Sequence, residues 1–184
     1  MKNEMRKDFL NKRNAIPKAQ QIEKSKIIFE KLINSKEYKN ADWVFTYIDM
    51  GSEVKTIPFI EKAWADKKHV AVPIAKANRL MYFVEITSFD NMNRTKMGVM
   101  EPNIGIESQV LPNEKTMFIV PGSMFDEEKN RCGYGGGYYD IYTEEKNVNN
   151  TIGVCYDFQV IEKIPTEEFD RKLSKIITEK RIIE

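Results

Sequence analysis

Four glycines fall within five positions, Gly133, Gly135, Gly136 and Gly137, between an apolar run and the start of a helix. The run Met117-Phe118-Ile119-Val120 stops at Pro121-Gly122, as a strand does at its end. A polar loop follows, then the glycines, then Tyr138-Tyr139-Asp140-Ile141-Tyr142, which reads as the first turns of a helix. Strand, glycine loop and helix start form the arrangement that binds phosphate. Glycines let successive N–H groups converge, and the helix N-terminus adds roughly half a positive charge. The spacing matches neither well-known loop. No Gly-Lys-Ser/Thr follows, as a Walker A loop requires, and the third glycine of a dinucleotide fingerprint would fall on Tyr138. The residues alone give an anion or phosphate site, with a nucleotide as the favoured ligand.

The flanking chain sets the architecture. Residues 3–14 read as a helix that ends before Ile16-Pro17. At about 100° per residue, Met5, Phe9 and Leu10 form its apolar stripe, and Lys2, Arg6 and Arg13 project into the same sector. An amphipathic helix normally keeps cations off its buried stripe. Two readings stand: an anion or buried carboxylates lie beneath, or the long side chains snorkel outward. A second helix is expected from about Lys18 to Asn34, with Ile22, Phe29, Leu32 and Ile33 on one side. Strand Trp43–Ile48 leads to a loop carrying Glu53. Thr56 is a plausible cap for a helix to about Asp66, with Pro58 in its first turn. Further strands are expected at His69–Ile74, Leu80–Val84, Thr151–Cys155 and Lys175–Thr178, with a helix at Gly137–Glu144 and mostly irregular chain from Thr87 to Glu114. Several of these strands are continuous apolar runs, as in a parallel sheet covered on both faces. A three-layer α/β fold follows, formed as one domain, with ligands at the carboxyl ends of the strands. The Glu53 loop and the glycine loop both fall there.

Composition removes several chemistries. Lys+Arg 29 against Asp+Glu 28 leaves a net charge of +1, so bulk charge makes no case for nucleic acid. No apolar run approaches the roughly 20 residues that span a bilayer. The stretch Met1–Arg6 is charged, with no apolar segment after it, unlike a signal peptide. Cys132 and Cys155 fit neither a disulfide framework nor a zinc pattern. A cytoplasmic protein is expected. The one histidine, His69, excludes a two-histidine metal site and reads as a structural residue at a strand edge. Catalysis must then rest on backbone dipoles, Lys/Arg, carboxylates and a hard metal. Asp140, in the first turn after the glycines, either complements the helix dipole or holds Mg²⁺ beside bound phosphates. Arg131 is either a phosphate partner or an ordinary surface arginine. Tyr134, Tyr138, Tyr139 and Tyr142 crowd the loop as a wall for a flat ligand. Glu53 and Asp126 read as ordinary loop acids, and Cys132 as a neutral filler.

These residues resemble a known signature. Val120-Pro121-Gly122 through Phe125-Asp126, then Arg131-Cys132-Gly133-Tyr134-Gly135-Gly136-Gly137-Tyr138-Tyr139-Asp140, is similar to the motif of the 5-formyltetrahydrofolate cyclo-ligase (methenyltetrahydrofolate synthetase) family. Lys2-Asn3-Glu4-Met5-Arg6, Ile48 to Thr56, Gly98 with Glu101-Pro102, Ile164-Pro165 to Asp170 and Thr178-Glu179 resemble its other pieces in order along the chain. The resemblance implies a Rossmann-like fold of the NagB/RpiA/CoA-transferase-like type. It also implies closure of 5-formyltetrahydrofolate, with or without a polyglutamate tail, to 5,10-methenyltetrahydrofolate at the expense of ATP, with Mg²⁺. Phosphorylation of the formyl oxygen is followed by attack of N10, giving ADP and phosphate. By the same analogy Lys2, Arg6 and Arg131 through Tyr139 (Cys132, Gly133, Tyr134, Gly135, Gly136, Gly137 and Tyr138 between them) cradle ATP. Ile48, Glu53 and Tyr134 through Tyr138 face the folate, Asp140 holds the metal, and Arg131, Tyr138 and Asp140 carry the catalysis.

Three departures bear on this. Tyr134 and Gly136 stand where some members have basic residues, which leaves more charge work to Lys2, Arg6 and Arg131. Cys132 replaces the usual Leu. Ser174 stands where some members have an Asp, so no metal contact is expected from it. Two rivals remain: another ATP-dependent small-molecule kinase or ligase, and a non-catalytic folate- or nucleotide-binding module. The retained Lys2, Arg6, Arg131 and Asp140 weigh against the second.

Overall fold

The computed structural model describes residues 2–95, 98–166 and 170–184. Helices α1 (Lys2–Asn14), α2 (Lys18–Asn34) and a short α3 (Lys36–Asn40) precede β1 (Trp43–Phe45), α4 (Ile57–Ala65), β2 (His69–Ala75) and β3 (Met81–Glu85). Short strands β4 (Met92–Arg94), β5 (Met100–Pro102) and β6 (Gln109–Val110) lead to β7 (Thr116–Val120). Then come β8 (Met124–Asp126), β9 (Arg131–Cys132), α5 (Tyr138–Glu145), β10 (Thr151–Val154), β11 (Val160–Ile161), β12 (Lys175–Ile177) and β13 (Ile182–Ile183).

The main sheet has eight strands in the order β13-β12-β10-β7-β1-β2-β3-β6. Strands β12, β10, β7, β1 and β2 are parallel; β13 and β3 run antiparallel to them, and β6, antiparallel to β3, closes that edge. Burial of both faces explains the unbroken apolar runs: all five residues of β7 are buried. On one face, Ile28, Phe29 and Leu32 of α2 and Phe59, Ile60 and Ala63 of α4 pack on Val44, Met117 and Ile152. On the other, Tyr142 of α5 packs on Phe83 and Phe118. A second sheet, β11-β8-β9, supports the strand that delivers the glycine loop, with Phe9 of α1 against Met124 and Cys132.

Several sequence expectations are corrected. Ile22 is 62% exposed, because α2 buries Gln21, Ser25, Ile28, Phe29 and Leu32 instead. The strand expected over Trp43–Ile48 ends at Phe45, and Tyr47 and Ile48 turn towards a cavity. Thr56 makes no side-chain cap to α4. The cap is Asp49, whose Oδ1 accepts from Thr56 N–H at 2.8 Å and Ile57 N–H at 3.4 Å. The stretch from Thr87 to Glu114 is mostly irregular, as expected, and also holds the β4–β5 hairpin and β6. Residues Glu167–Phe169, within the tail resemblance, lie outside the described residues, as does Met1.

Packing behind the glycine loop is close. A Cβ on Gly153 of β10 would meet Leu173 Cδ1 and Phe125 Cε1, each at 2.7 Å. Phe125 is wholly buried and cannot step aside. Gly153→Ala is therefore expected to cost about 1–3 kcal/mol by overpacking. A lower urea midpoint with an unchanged slope would show it; an unchanged midpoint would contradict it.

Candidate active site

The topology locates the site. From β1 the chain builds outward through β2 and β3, and from β7 it builds the opposite way through β10 and β12, so β1 and β7 flank the point where the winding reverses. Ligands of open α/β sheets bind in the crevice at the carboxyl ends beside such a point. The loop after β1 brings Tyr47, Ile48 and Glu53 there, and the chain after β7 brings Pro121 and, through β9, the glycine loop.

An apolar cavity of about 470 Å³ opens between these loops, with Val72, Met81, Val99 and Met100 among its walls. Of the acids in its lining, Glu53, Glu101 and Asp140, Glu53 is the buried one, at 6% exposed. Glu53 Oε2 accepts from Met50 N–H at 2.8 Å, and Oε1 accepts from the Tyr134 hydroxyl. That hydroxyl in turn accepts from Arg13 Nη1 at 2.7 Å, while Arg13 Nε donates to Ser52 Oγ at 3.0 Å and the guanidinium lies over the Tyr134 ring. Burial lifts the Glu53 carboxyl above the ordinary range; the bonds from Tyr134 and Met50 and the Arg13 charge pull it partly back. Glu53 is thus a built, buried acid, not the solvated loop acid its sequence context suggests. Arg13, on the inward stripe of α1, meets this acid through Tyr134, so the reading with buried carboxylates beneath the stripe holds for it.

A second cavity, of about 360 Å³, lies across the loop and is lined by Lys2, Arg6, Cys132, Gly135 and Asp170 among others. Lys2 Nζ is 2.6 Å from Asp170 Oδ2. Arg6 Nε donates to the Gly133 carbonyl at 2.8 Å, and its Nη2 lies 3.5 Å from Cys132 Sγ. Gly135 (φ +102°) and Gly137 (φ +70°) take backbone conformations that L side chains rarely adopt. Gly137 caps α5, so the N–H groups of its first turn sit at the loop. Gly133, Gly137 and Asp140 line both cavities, which makes the glycine loop their common wall.

Asp140 and Arg131 form one unit. Arg131 Nη2 donates to both Asp140 oxygens at 2.8 Å, and Nη1 donates to the Pro121 carbonyl at 3.1 Å. The Arg131 side chain is 4% exposed and that of Asp140 21%. Arg131 is therefore a buried orienter of Asp140, not a surface arginine. No cluster of three or more His, Cys, Asp or Glu that could hold a metal occurs among the described residues. A single carboxylate at a cavity wall nevertheless fits Mg²⁺, which takes one or two protein carboxylates and fills its shell with substrate oxygens and water.

The structure thus gathers Ile48, Glu53, Arg131, Gly133, Gly136, Gly137, Tyr134, Tyr138, Tyr139 and Asp140 at one cavity, and Lys2, Arg6, Cys132 and Gly135 at the next. Tyr138 places its ring in the apolar wall while its hydroxyl donates to the Lys76 carbonyl at 2.9 Å. Asp126, read from the sequence as an ordinary loop acid, is instead fully buried at the end of β8, where its carboxylate accepts from the N–H groups of Glu128, Asn130 and Ile164. His69 stacks on Trp43 and meets Glu85 at the surface. Ser174 Oγ is turned to the Asn149 carbonyl beside the start of β12, away from both cavities. Sequence reading did not place Ser52, Met81, Thr95, Val99 or Met100 at the site. Met81 lies in a strand that was expected, but neither it nor the other four carries a local signal for the site, because their place there depends on contacts between elements.

Comparison with known proteins agrees with this geometry. The chain is 30% identical to the probable 5-formyltetrahydrofolate cyclo-ligase of Caenorhabditis elegans, over 97% of this chain and 93% of that one. It is 27% identical to the 5-formyltetrahydrofolate cyclo-ligase of Escherichia coli K12, over 94% and 97%. Its fold superposes on the 5,10-methenyltetrahydrofolate synthetase of Aquifex aeolicus with a TM-score of 0.85 and 28% identity, covering 98% of this chain and 91% of that one. The family model for 5-formyltetrahydrofolate cyclo-ligases matches residues 1–179, the switch-point cavities and glycine loop included, and the chain belongs to that family.

Proposed function

We propose that this chain closes 5-formyltetrahydrofolate to 5,10-methenyltetrahydrofolate with conversion of ATP to ADP and phosphate. The observation that carries the reading is the shared wall. One glycine loop borders a cavity with cations on one side and an apolar cavity with a buried acid on the other. A triphosphate in the first and a pterin in the second would meet across Gly133, Gly137 and Asp140.

A formyl amide oxygen is a poor leaving group, so N10 cannot displace it directly. Transfer of the γ-phosphoryl group breaks its bond to ADP and joins phosphorus to the formyl oxygen. The N10 lone pair then attacks the formyl carbon, N10 loses its proton, and the carbon–oxygen bond breaks to release phosphate. Such chemistry needs positioning and charge neutralisation more than a histidine base. Glu53 accepts from the pterin N–H donors, with Ile48 and the Tyr138 ring as walls. Lys2, Arg6 and the α5 N-terminus hold phosphate oxygens. Asp140, oriented by Arg131, is the residue that would hold Mg²⁺, and the metal would neutralise charge on the transferring phosphoryl group. The apolar walls keep water from the activated amide, which would otherwise hydrolyse. We further place the enzyme in the cytoplasm as one cyclo-ligase domain. Two buried free cysteines and the absence, among the described residues, of a helix able to cross a membrane are consistent with that.

Formation of methenyltetrahydrofolate, followed by absorbance with one ADP released per turnover, tests the assignment. ADP release that requires a different small molecule would favour the rival kinase or ligase; no ADP release with 5-formyltetrahydrofolate would sink the enzymatic reading. Tyr134→Phe probes the acid's setting. It removes a hydrogen bond to a buried carboxylate, worth about 1.5–3 kcal/mol, so folate kcat/KM is expected to fall at least about tenfold. Because that bond lowers the Glu53 pKa, its loss raises the pKa, and the acid limb of the pH profile should move to higher pH. An unmoved limb with unchanged kcat/KM would separate the hydroxyl from Glu53.

A further inference from the structure

We infer that Arg79, on the turn between β2 and β3, is a nucleotide-phosphate contact that makes the cationic cavity fit for a polyanion. The inference rests on the reading that this cavity takes the ATP phosphates.

The charge balance of the cavity is the first reason. Its lining holds Lys2, Arg6 and Arg79 against Asp140, Glu144 and Asp170, three cations against three acids. Each of the three acids already has a cation, Asp140 from Arg131, Glu144 from Arg171 at 3.9 Å and Asp170 from Lys2, which leaves Arg6 and Arg79 as the surplus positive charge of the wall. The glycine loop adds backbone N–H groups but no side-chain charge, because no Lys or Arg lies between Cys132 and Asp140. A triphosphate needs that surplus, and Arg79 supplies half of it.

The second reason is which cations are committed. Lys2 is paired with Asp170, and Arg6 spends its nitrogens on Gly133, Asn3 and Cys132. Arg79 makes no hydrogen bond or ion pair with any described residue. Its five donors, in a planar fork suited to phosphate, face the cavity unspent.

The third reason is that the turn is held in place. Asn78 and Arg79 both lie at φ +59°, a left-handed conformation that arginine rarely adopts. The turn is closed by Lys76 N–H to the Leu80 carbonyl at 2.8 Å. It is tied to the glycine-loop helix by the Tyr138 hydroxyl, which donates to the Lys76 carbonyl at 2.9 Å. Tyr138 thus joins the phosphate loop to the turn that carries Arg79. Strain of this kind persists where surrounding contacts over-determine the backbone, and it clusters at ligand clamps.

The test is steady-state kinetics of the full chain, with Mg·ATP and 5-formyltetrahydrofolate varied separately. Arg79→Ala is expected to raise the ATP KM at least about tenfold and leave the folate KM within about twofold, with Arg79→Lys recovering part of the loss because it restores the charge but not the fork. The side chain is exposed, so folding should be undisturbed. An unchanged ATP KM would overturn the inference, as would a rise in the folate KM alone, which would put Arg79 at the folate. Lys2→Ala and Arg6→Ala separate the two levels. If they raise the ATP KM while Arg79→Ala does not, only the role of Arg79 fails. If none of the three does, the cavity does not hold the phosphates and the underlying reading fails with it.

Discussion

Asp140→Asn is expected to lower Mg·ATP-dependent turnover at least about a hundredfold, on the order of 3 kcal/mol of transition-state stabilisation. Alanine alone would confuse two effects, because Arg131 donates to both Asp140 oxygens and is itself almost fully buried. Removing the acceptor leaves a buried guanidinium half-paired, which costs stability. Asp140 is about one-fifth exposed, so water can replace part of the lost pairing, and a loss of about 2 kcal/mol is expected for Asp140→Ala. Asparagine keeps one acceptor for Arg131 but carries no charge for a hard cation. The two variants should therefore differ in urea midpoint and agree in lost turnover. Near wild-type turnover in Asp140→Asn would remove the residue as a metal ligand.

Glu53→Gln is the second large effect. The side chain is isosteric: its amide oxygen can still accept from Met50 N–H, and its amide NH2, in place of the other oxygen, can donate to the Tyr134 hydroxyl, so the loop should survive. What disappears is the charge. Hydrogen bonds to a buried carboxylate are roughly twice as strong as neutral ones. A pterin that presents N–H donors to Glu53 should then lose about a hundredfold in kcat/KM, on the order of 3 kcal/mol. The ATP KM should stay within about twofold, because Glu53 lines the apolar cavity and not the cationic one. A folate kcat/KM within threefold of wild type would refute pterin recognition by Glu53. A matching loss in the ATP KM would mean that the two cavities act as one.

The sheet and most helices were legible because their signals are local and strong. The unbroken apolar runs of β1, β2, β7 and β10 mark strands buried on both faces, and the glycine cluster with Asp140 marks the loop at the carboxyl ends of the strands. Helix α2 falls on the residues expected, Lys18–Asn34. Its buried face was misjudged at Ile22 because neighbours, not periodicity, decide which apolar residue stays outside. What could not be read were the partners. Glu53 looks like a solvated acid until Tyr134, 81 residues away, closes on it. The inward sector of Arg13 and the loop position of Arg131 are legible, but their acceptors are not until Tyr134 and Asp140 fold over them. Arg79 carries no local signal at all, since its meaning comes from a turn brought beside α5 by the sheet. Local sequence encodes elements; a buried polar network exists only in the contacts between them.

The most direct test follows one atom. With ¹⁸O in the formyl group of 5-formyltetrahydrofolate, Mg·ATP and the purified chain, the released phosphate is analysed by mass spectrometry. Phosphoryl transfer across the glycine loop to the formyl oxygen requires one ¹⁸O in each phosphate released. Unlabelled phosphate formed at the rate of ring closure would contradict it, since the γ-phosphoryl group would then have passed to water and not to folate.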